Sequence, residues 1–201
     1  MLKERNRRRM IIFARENAPK NAFELTIAAL SECVRLRILD TSEWEFVGIG
    51  GSSSKPICNL GERKEVNACI RMIQNLPEYE YRKLLIDADI GLSITLSPNP
   101  SFTVFDFAAA GMIVVTNSFE TRKQEDFDKI SHNFIAAKSS LNGIIEGISK
   151  ALLMIEQGQK ETKLNLPTNW NDERCYGKDL MDKVKNWFND GSLGPFQRET
   201  A

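Results

Sequence analysis

The stretch Asp89-Ile90-Gly91-Leu92-Ser93-Ile94-Thr95-Leu96-Ser97-Pro98-Asn99-Pro100-Ser101, followed by Phe102-Thr103-Val104-Phe105-Asp106-Phe107-Ala108-Ala109-Ala110-Gly111 and Met112-Ile113-Val114-Val115-Thr116-Asn117, decides the fold. An apolar, β-rich run over 89–96 ends in a loop stiffened by two prolines. Apolar and small residues over 102–110 then suit a helix packed close to a sheet. Gly111 stops that helix, and a second apolar strand begins at once. Strand, helix and strand in such quick succession form the βαβ unit of a parallel sheet, because parallel neighbours need a crossover.

The same alternation extends in both directions. Short β-rich runs at 10–14, 44–49, 70–73 and 133–137 predict strands, with 57–60 a short extra one. Helical spacing covers 21–40, with Phe23, Ile27, Leu30, Val34 and Leu39 near one face, and recurs at 79–88 and 141–155. Asn21 with Glu24 three residues on predicts a capped helix start after Pro19. Gly50-Gly51-Ser52-Ser53-Ser54 reads as a turn or mobile loop, and Trp170 to Phe188 as a last helix. The expected fold is α/β, a Rossmann-like, mostly parallel sheet flanked by helices. Residues 1–9 read as a basic leader or linker, 10–189 as one domain and 190–201 as a flexible tail.

Lys plus Arg and Asp plus Glu balance at 27 each, so no broad field favours nucleic acid, and none is expected as a partner. Lys3, Arg5, Arg7, Arg8 and Arg9 crowd the start and suit a solvated linker or a peripheral contact with an anionic membrane surface. Met10 to Ala14 is too short for a signal-peptide core, and no run approaches the roughly 18 apolar residues that span a bilayer. Cys33, Cys58, Cys69 and Cys175 are widely spaced without a Cys-x-x-Cys pair, which argues against zinc and against a disulfide framework. A cytoplasmic location, soluble or membrane-peripheral, is the default. His132, the single histidine, reads as a surface-loop residue rather than a catalyst.

Ligands of such sheets settle at the carboxyl ends of the strands, where helix N-termini offer unpaired N–H groups. Neither GxGxxG nor a Walker pattern occurs there. The loop after the first strand carries Arg15 and Lys20, able to meet a phosphate or simply solvated. Ser101 suits the N-cap of the next helix, with the N–H groups of Phe102 and Thr103 free beyond it and Asp106 one turn on. An acid at that place either accepts sugar hydroxyls or complements the helix dipole, and residue type alone leaves both readings open.

Ala14-Arg15, Pro19-Lys20-Asn21-Ala22-Phe23-Glu24-Leu25, Trp44-Glu45-Phe46-Val47-Gly48, Ala88-Asp89-Ile90-Gly91-Leu92-Ser93 and Pro100-Ser101 through Asp106-Phe107-Ala108-Ala109-Ala110-Gly111 to Val114-Val115-Thr116-Asn117 resemble the C-terminal, donor-binding domain of GT-B glycosyltransferases. The likeness is closest to the bacterial rhamnosyltransferase-like group of surface polysaccharide synthesis and covers about residues 10–189. It implies that Arg15, and with it Lys20, neutralises a donor diphosphate and that Asp106 binds the nucleotide ribose. It further implies that Asn75, Leu76 and Tyr79 lie near the base. Pro98 stands where the wider family often has a sugar-binding acid, so donor-sugar contacts differ here. A nucleoside-diphosphate sugar, with dTDP-rhamnose suggested by analogy, is the implied donor, and a glycan or lipid-linked acceptor its partner. Neither a cofactor nor a metal is expected. GT-B enzymes keep the acceptor site, and inverting ones the base, in an N-terminal domain, so no catalytic residue is assigned and the chain alone is expected not to turn over. The alternative is a non-catalytic binding or scaffold module derived from this domain.

Overall fold

The structure, a computed structural model, describes residues 7–53, 55–57, 69–97, 101–120 and 122–161. The chain divides into a unit of residues 1–165 and a second of 166–201. The expected helix over 170–188 and the tail lie outside the described residues, as do residues 58–60 of the expected extra strand.

Six strands form one parallel sheet: β1 (Arg8–Phe13), β2 (Trp44–Ile49), β3 (Ile70–Ile73), β4 (Ile90–Ser93), β5 (Ile113–Asn117) and β6 (Phe134–Ala137). Their order is β3-β2-β1-β4-β5-β6, so the sheet grows outward in both directions from the neighbours β1 and β4. The helices are α1 (Phe23–Arg35), α2 (Glu78–Ile86), α3 (Phe102–Ala109), α4 (Gln124–Asp128) and α5 (Leu141–Glu156). The expected α/β, Rossmann-like class is the observed one.

A parallel strand covered on both faces must be apolar throughout, and β1 obeys this, with Met10, Ile11 and Ile12 fully buried. Met10 and Ile12 face α1 and α5, meeting Leu30, Val34, Ile144 and Ile148. Ile11 faces the other way, into a core with Leu85 of α2, Phe107 of α3 and Phe127 of α4. Each such side chain taken from water contributes about 1.5–3 kcal/mol, so these two layers supply the driving force.

Local signals explain most boundaries. Gly111 takes φ +82° after α3, its N–H bonds to the Ala108 carbonyl and the Met112 N–H to that of Phe107, a Schellman stop at the predicted glycine. Ser140 caps α5, its hydroxyl accepting the Gly143 N–H at 3.2 Å. The start of α1 departs from expectation. Pro19–Asn21 form a 3-10 turn, Ala22 takes the left-handed φ of 43°, and no side chain caps the helix. Asn21 is instead buried, its side-chain nitrogen without a hydrogen-bond partner.

Two further readings change. Arg8 and Arg9 belong to β1 rather than to a leader: Arg8 lies over the Trp44 ring, and Arg9 pairs with Glu45 and, at 2.7 Å, with Asp87. Cys69 is disulfide-bonded, which the spacing of the cysteines did not suggest. Buried Cys33 is free, its thiol pushed up to about 12 by burial and by the neighbouring Glu32 charge, and so unreactive. No helix among the described residues is long and apolar enough to cross a membrane.

Candidate functional site

The chain leaves β1 for α1 on one face of the sheet and leaves β4 for α3 on the other. In sheets of this architecture two such loops part at the carboxyl edge, and ligands sit in the crevice outside the strand ends there. One backbone bond joins the loops, from the Leu96 N–H to the Lys20 carbonyl at 2.6 Å. Arg15 and Lys20 both stand on the β1 side of this junction, exposed and without an ion-pair partner among the described residues.

Glu16, between them in sequence, is turned away. One carboxylate oxygen accepts the Ser52 N–H at 3.0 Å, the Ser52 hydroxyl at 2.8 Å and the Ser53 N–H at 3.0 Å. Burial pushes this carboxyl up, but hydrogen bonds from its own backbone, the Ser52 hydroxyl and the N–H groups of Ser52 and Ser53 outweigh that and hold it below the usual glutamate value. The Gly50-Gly51-Ser52-Ser53 segment is therefore an anion nest filled by the protein's own acid. A Cβ on Gly51 would come within 2.6 Å of both the Ala14 carbonyl and Glu16, which is why glycine stands there. Engaged in this way, Glu16 makes no ion pair with Arg15 or Lys20 among the described residues.

The β4 side is held by side chains from β5 and the loop after it. Strand β4 ends at Ser93, short of the expected Leu96, but its line continues through Asn117. The Asn117 amide oxygen accepts the Thr95 N–H at 2.8 Å and its nitrogen donates to the Thr95 carbonyl at 2.9 Å, replacing ladder bonds with a side chain. Arg122, only 8% exposed, donates from Nη2 to the Ser97 carbonyl at 2.7 Å.

Beyond residues 98–100, which lie outside the described set, Ser101 holds the extended N-cap conformation, but its hydroxyl makes no capping bond. Its carbonyl accepts the Val104 N–H at 3.2 Å. The N–H groups of Phe102 and Thr103 have no acceptor within the helix, and the Phe102 side chain is 87% exposed beside them. An anion fits such a helix start.

Asp106 is exposed on the flank of α3 that faces α2, where it accepts a hydrogen bond from the Tyr81 hydroxyl at 3.0 Å. Burial, then the Asp106 charge and that hydrogen bond, push the Tyr81 phenol well above its ordinary value, so it is a permanent donor. The two residues line a cavity of about 460 Å³ with Leu85, Ile86, Ala109 and Ala110. Leu76 and Tyr79, expected near the base, line a separate cavity of about 410 Å³ with Arg71 and Lys83. Tyr79 is 76% exposed, and Asn75, in the turn before α2, takes the left-handed φ of 47°. The structure thus brings Tyr81 against Asp106, while Tyr79 lines the other cavity.

The sequence reading missed Glu16, Asn117 and Arg122 as builders of this edge. Asn117 closes the motif block that carried the resemblance, but nothing local told that its amide replaces backbone. Nothing in the residues around Arg122 marks it as buried. His132 is exposed as expected, but is engaged: its backbone N–H and ring Nδ1 meet Glu161 at 2.9 and 2.7 Å.

The fold is shared with solved glycosyltransferases. WaaG, a glycosyltransferase of lipopolysaccharide biosynthesis, superposes with a TM-score of 0.56 at 13% identity, covering 92% of this chain and 47% of that one. A glycosyltransferase from Rickettsia africae gives 0.55 at 16%, covering 76% and 39%. Alr3699/HepE from Anabaena, solved with UDP-glucose, gives 0.50 at 13%, covering 77% and 40%. The chain spans less than half the length of each, and its sheet is that of their GT-B C-terminal domains. No sequence among the curated proteins matches it. Residues 8–149, from the first strand through most of the last helix described, match the family described as WsaF, C-terminal domain, and the chain belongs to that family.

Proposed function

We propose that the chain is the donor-binding domain of a GT-B glycosyltransferase, holding a nucleoside-diphosphate sugar at the β1–β4 crevice while an N-terminal domain supplies the acceptor site and any general base. One observation carries the reading. Arg15 and Lys20, lacking acidic partners among the described residues, occupy a loop that the Leu96 to Lys20 bond ties to the loop entering α3. Two cations and a helix N-terminus on either side of one crevice suit a diphosphate, both when bound and when it leaves with its extra charge. No metal is required by this arrangement. UDP-glucose in Alr3699/HepE agrees with a diphosphate-sugar donor. The donor we favour is dTDP-rhamnose, and the product a surface polysaccharide made on the cytoplasmic side of a membrane.

Asp106 takes the ribose role in this proposal, with Tyr81 fixing its rotamer. Asp106→Ala is expected to weaken nucleoside diphosphate binding by about 1–2 kcal/mol, roughly ten-fold, by removing a charge-assisted hydrogen bond. Calorimetric titration against UDP and dTDP measures this. The acid is exposed, so the melting temperature should stay within a few degrees. An unchanged affinity for both nucleotides would take Asp106 out of the site.

A further inference from the structure

Arg122 is the one buried arginine among the described residues. Its guanidinium lies over the Phe119 ring, 5.6 Å from Cζ to the ring centroid, and among the described residues donates once, to the Ser97 carbonyl. Nε is buried with no hydrogen-bond partner. Glu120 acts on it through charge, but no carboxylate among the described residues is hydrogen-bonded to it. A guanidinium offers five N–H donors and stays charged, so a group that needed only to pin one carbonyl is over-provided here. Burying a charge without a bonded counter-ion works against folding, and replacing buried ions by apolar groups of similar size is often neutral or stabilising. A buried guanidinium with donors to spare, bonded to the loop that enters α3, points to a role in binding.

We propose that Arg122 is a third cation of the donor site, reaching it from the loop after β5. It anchors the Ser97 end of the β4 loop and offers its charge to the diphosphate from the side opposite Arg15 and Lys20. The proposal rests on the donor-binding reading above. It concerns the phosphate end of the donor, not the ribose, so it separates from the part assigned to Asp106.

The test uses Arg122→Met, which keeps length and packing and removes charge and donors, and Arg122→Lys, which keeps the charge. Thermal unfolding and calorimetric titration with UDP and UMP are measured on the full chain. We expect Arg122→Met to melt at or above the wild-type temperature yet to bind UDP roughly ten-fold more weakly, the scale of one charge-assisted contact, with UMP affected much less. Arg122→Lys is expected to recover most of the UDP affinity. A purely structural clamp gives the opposite pattern, a lower melting temperature with UDP and UMP affinities unchanged or reduced alike, and that result overturns the proposal. Wild-type chain that binds UDP while Arg122→Met binds it equally well removes Arg122 alone. Wild-type chain that binds no nucleotide removes the donor reading, and the Arg122 role with it.

Discussion

Replacement of Asn117 by alanine is expected to lower the unfolding free energy by about 3–4 kcal/mol, because it orphans several buried polar groups together. Asn117 is fully buried at the end of β5. Its amide satisfies the Thr95 N–H and carbonyl and also donates to the Ser139 hydroxyl at 2.9 Å and the Ser118 carbonyl at 3.3 Å. Alanine removes all four contacts and leaves a hole that water fills poorly. Thr95 is itself buried, so its backbone cannot turn to solvent without opening the β4 loop. The loop carries Leu96 and Ser97, which meet Lys20 and Arg122. Nucleotide affinity should therefore fall together with stability. Urea unfolding, with calorimetry at a temperature where the variant is folded, checks both. A loss below about 1 kcal/mol would mean that Asn117 is a surface-like group and that the β4 loop stands without it.

Gly91→Ala is expected to destabilise by about 3 kcal/mol, at the upper end of overpacking effects in a closed core. A Cβ there would sit 2.2 Å from Cδ2 and 2.6 Å from Cγ of Phe107, and 2.9 Å from its Cβ. Phe107 is completely buried between β4 and its neighbours, so the ring has nowhere to swing. The strain must be met by lifting α3 off the sheet, which carries Asp106 and the Phe102 and Thr103 N–H groups with it. Shrinking the ring should relieve the clash: Gly91→Ala with Phe107→Leu is expected to be less destabilised than the two single changes added together. Strict additivity of the three variants in urea unfolding would contradict the close contact on which the placement of α3 depends.

These two residues show where sequence was and was not informative. The alanines of 108–110 announced close helix-to-sheet packing and Gly111 announced the stop, because both are requirements that backbone geometry imposes on residue type, whereas the contact of Gly91 with Phe107 was not read from the sequence. The strand-helix alternation gave the parallel sheet for the same reason: covered strands must be apolar on both faces, as Met10 to Ile12 are. Asn21 misled because an Asn three residues before a Glu fits a cap, while the Pro19 turn put Ala22 into the left-handed region and turned the asparagine inward. Strand β4 was overextended because Ile94 and Leu96 are as apolar as true strand residues, and only a distant amide tells that the ladder has ended. For the proposed site, Arg15, Lys20 and Asp106 were singled out from their loops and from the family likeness. Glu16, Tyr81, Asn117 and Arg122 act through partners 22 or more residues away: Ser52, Asp106, Thr95 and Ser97. No local pattern encodes such pairings.

Donor binding by the chain is tested most directly by isothermal titration with UDP, dTDP and GDP in separate experiments at low salt. Saturable binding of at least one nucleotide, weakened by replacing Arg15 or Lys20 with alanine, is the result expected of a diphosphate held at the β1–β4 crevice. Absence of binding by all three at millimolar concentration would contradict it and favour a scaffold role for the same fold.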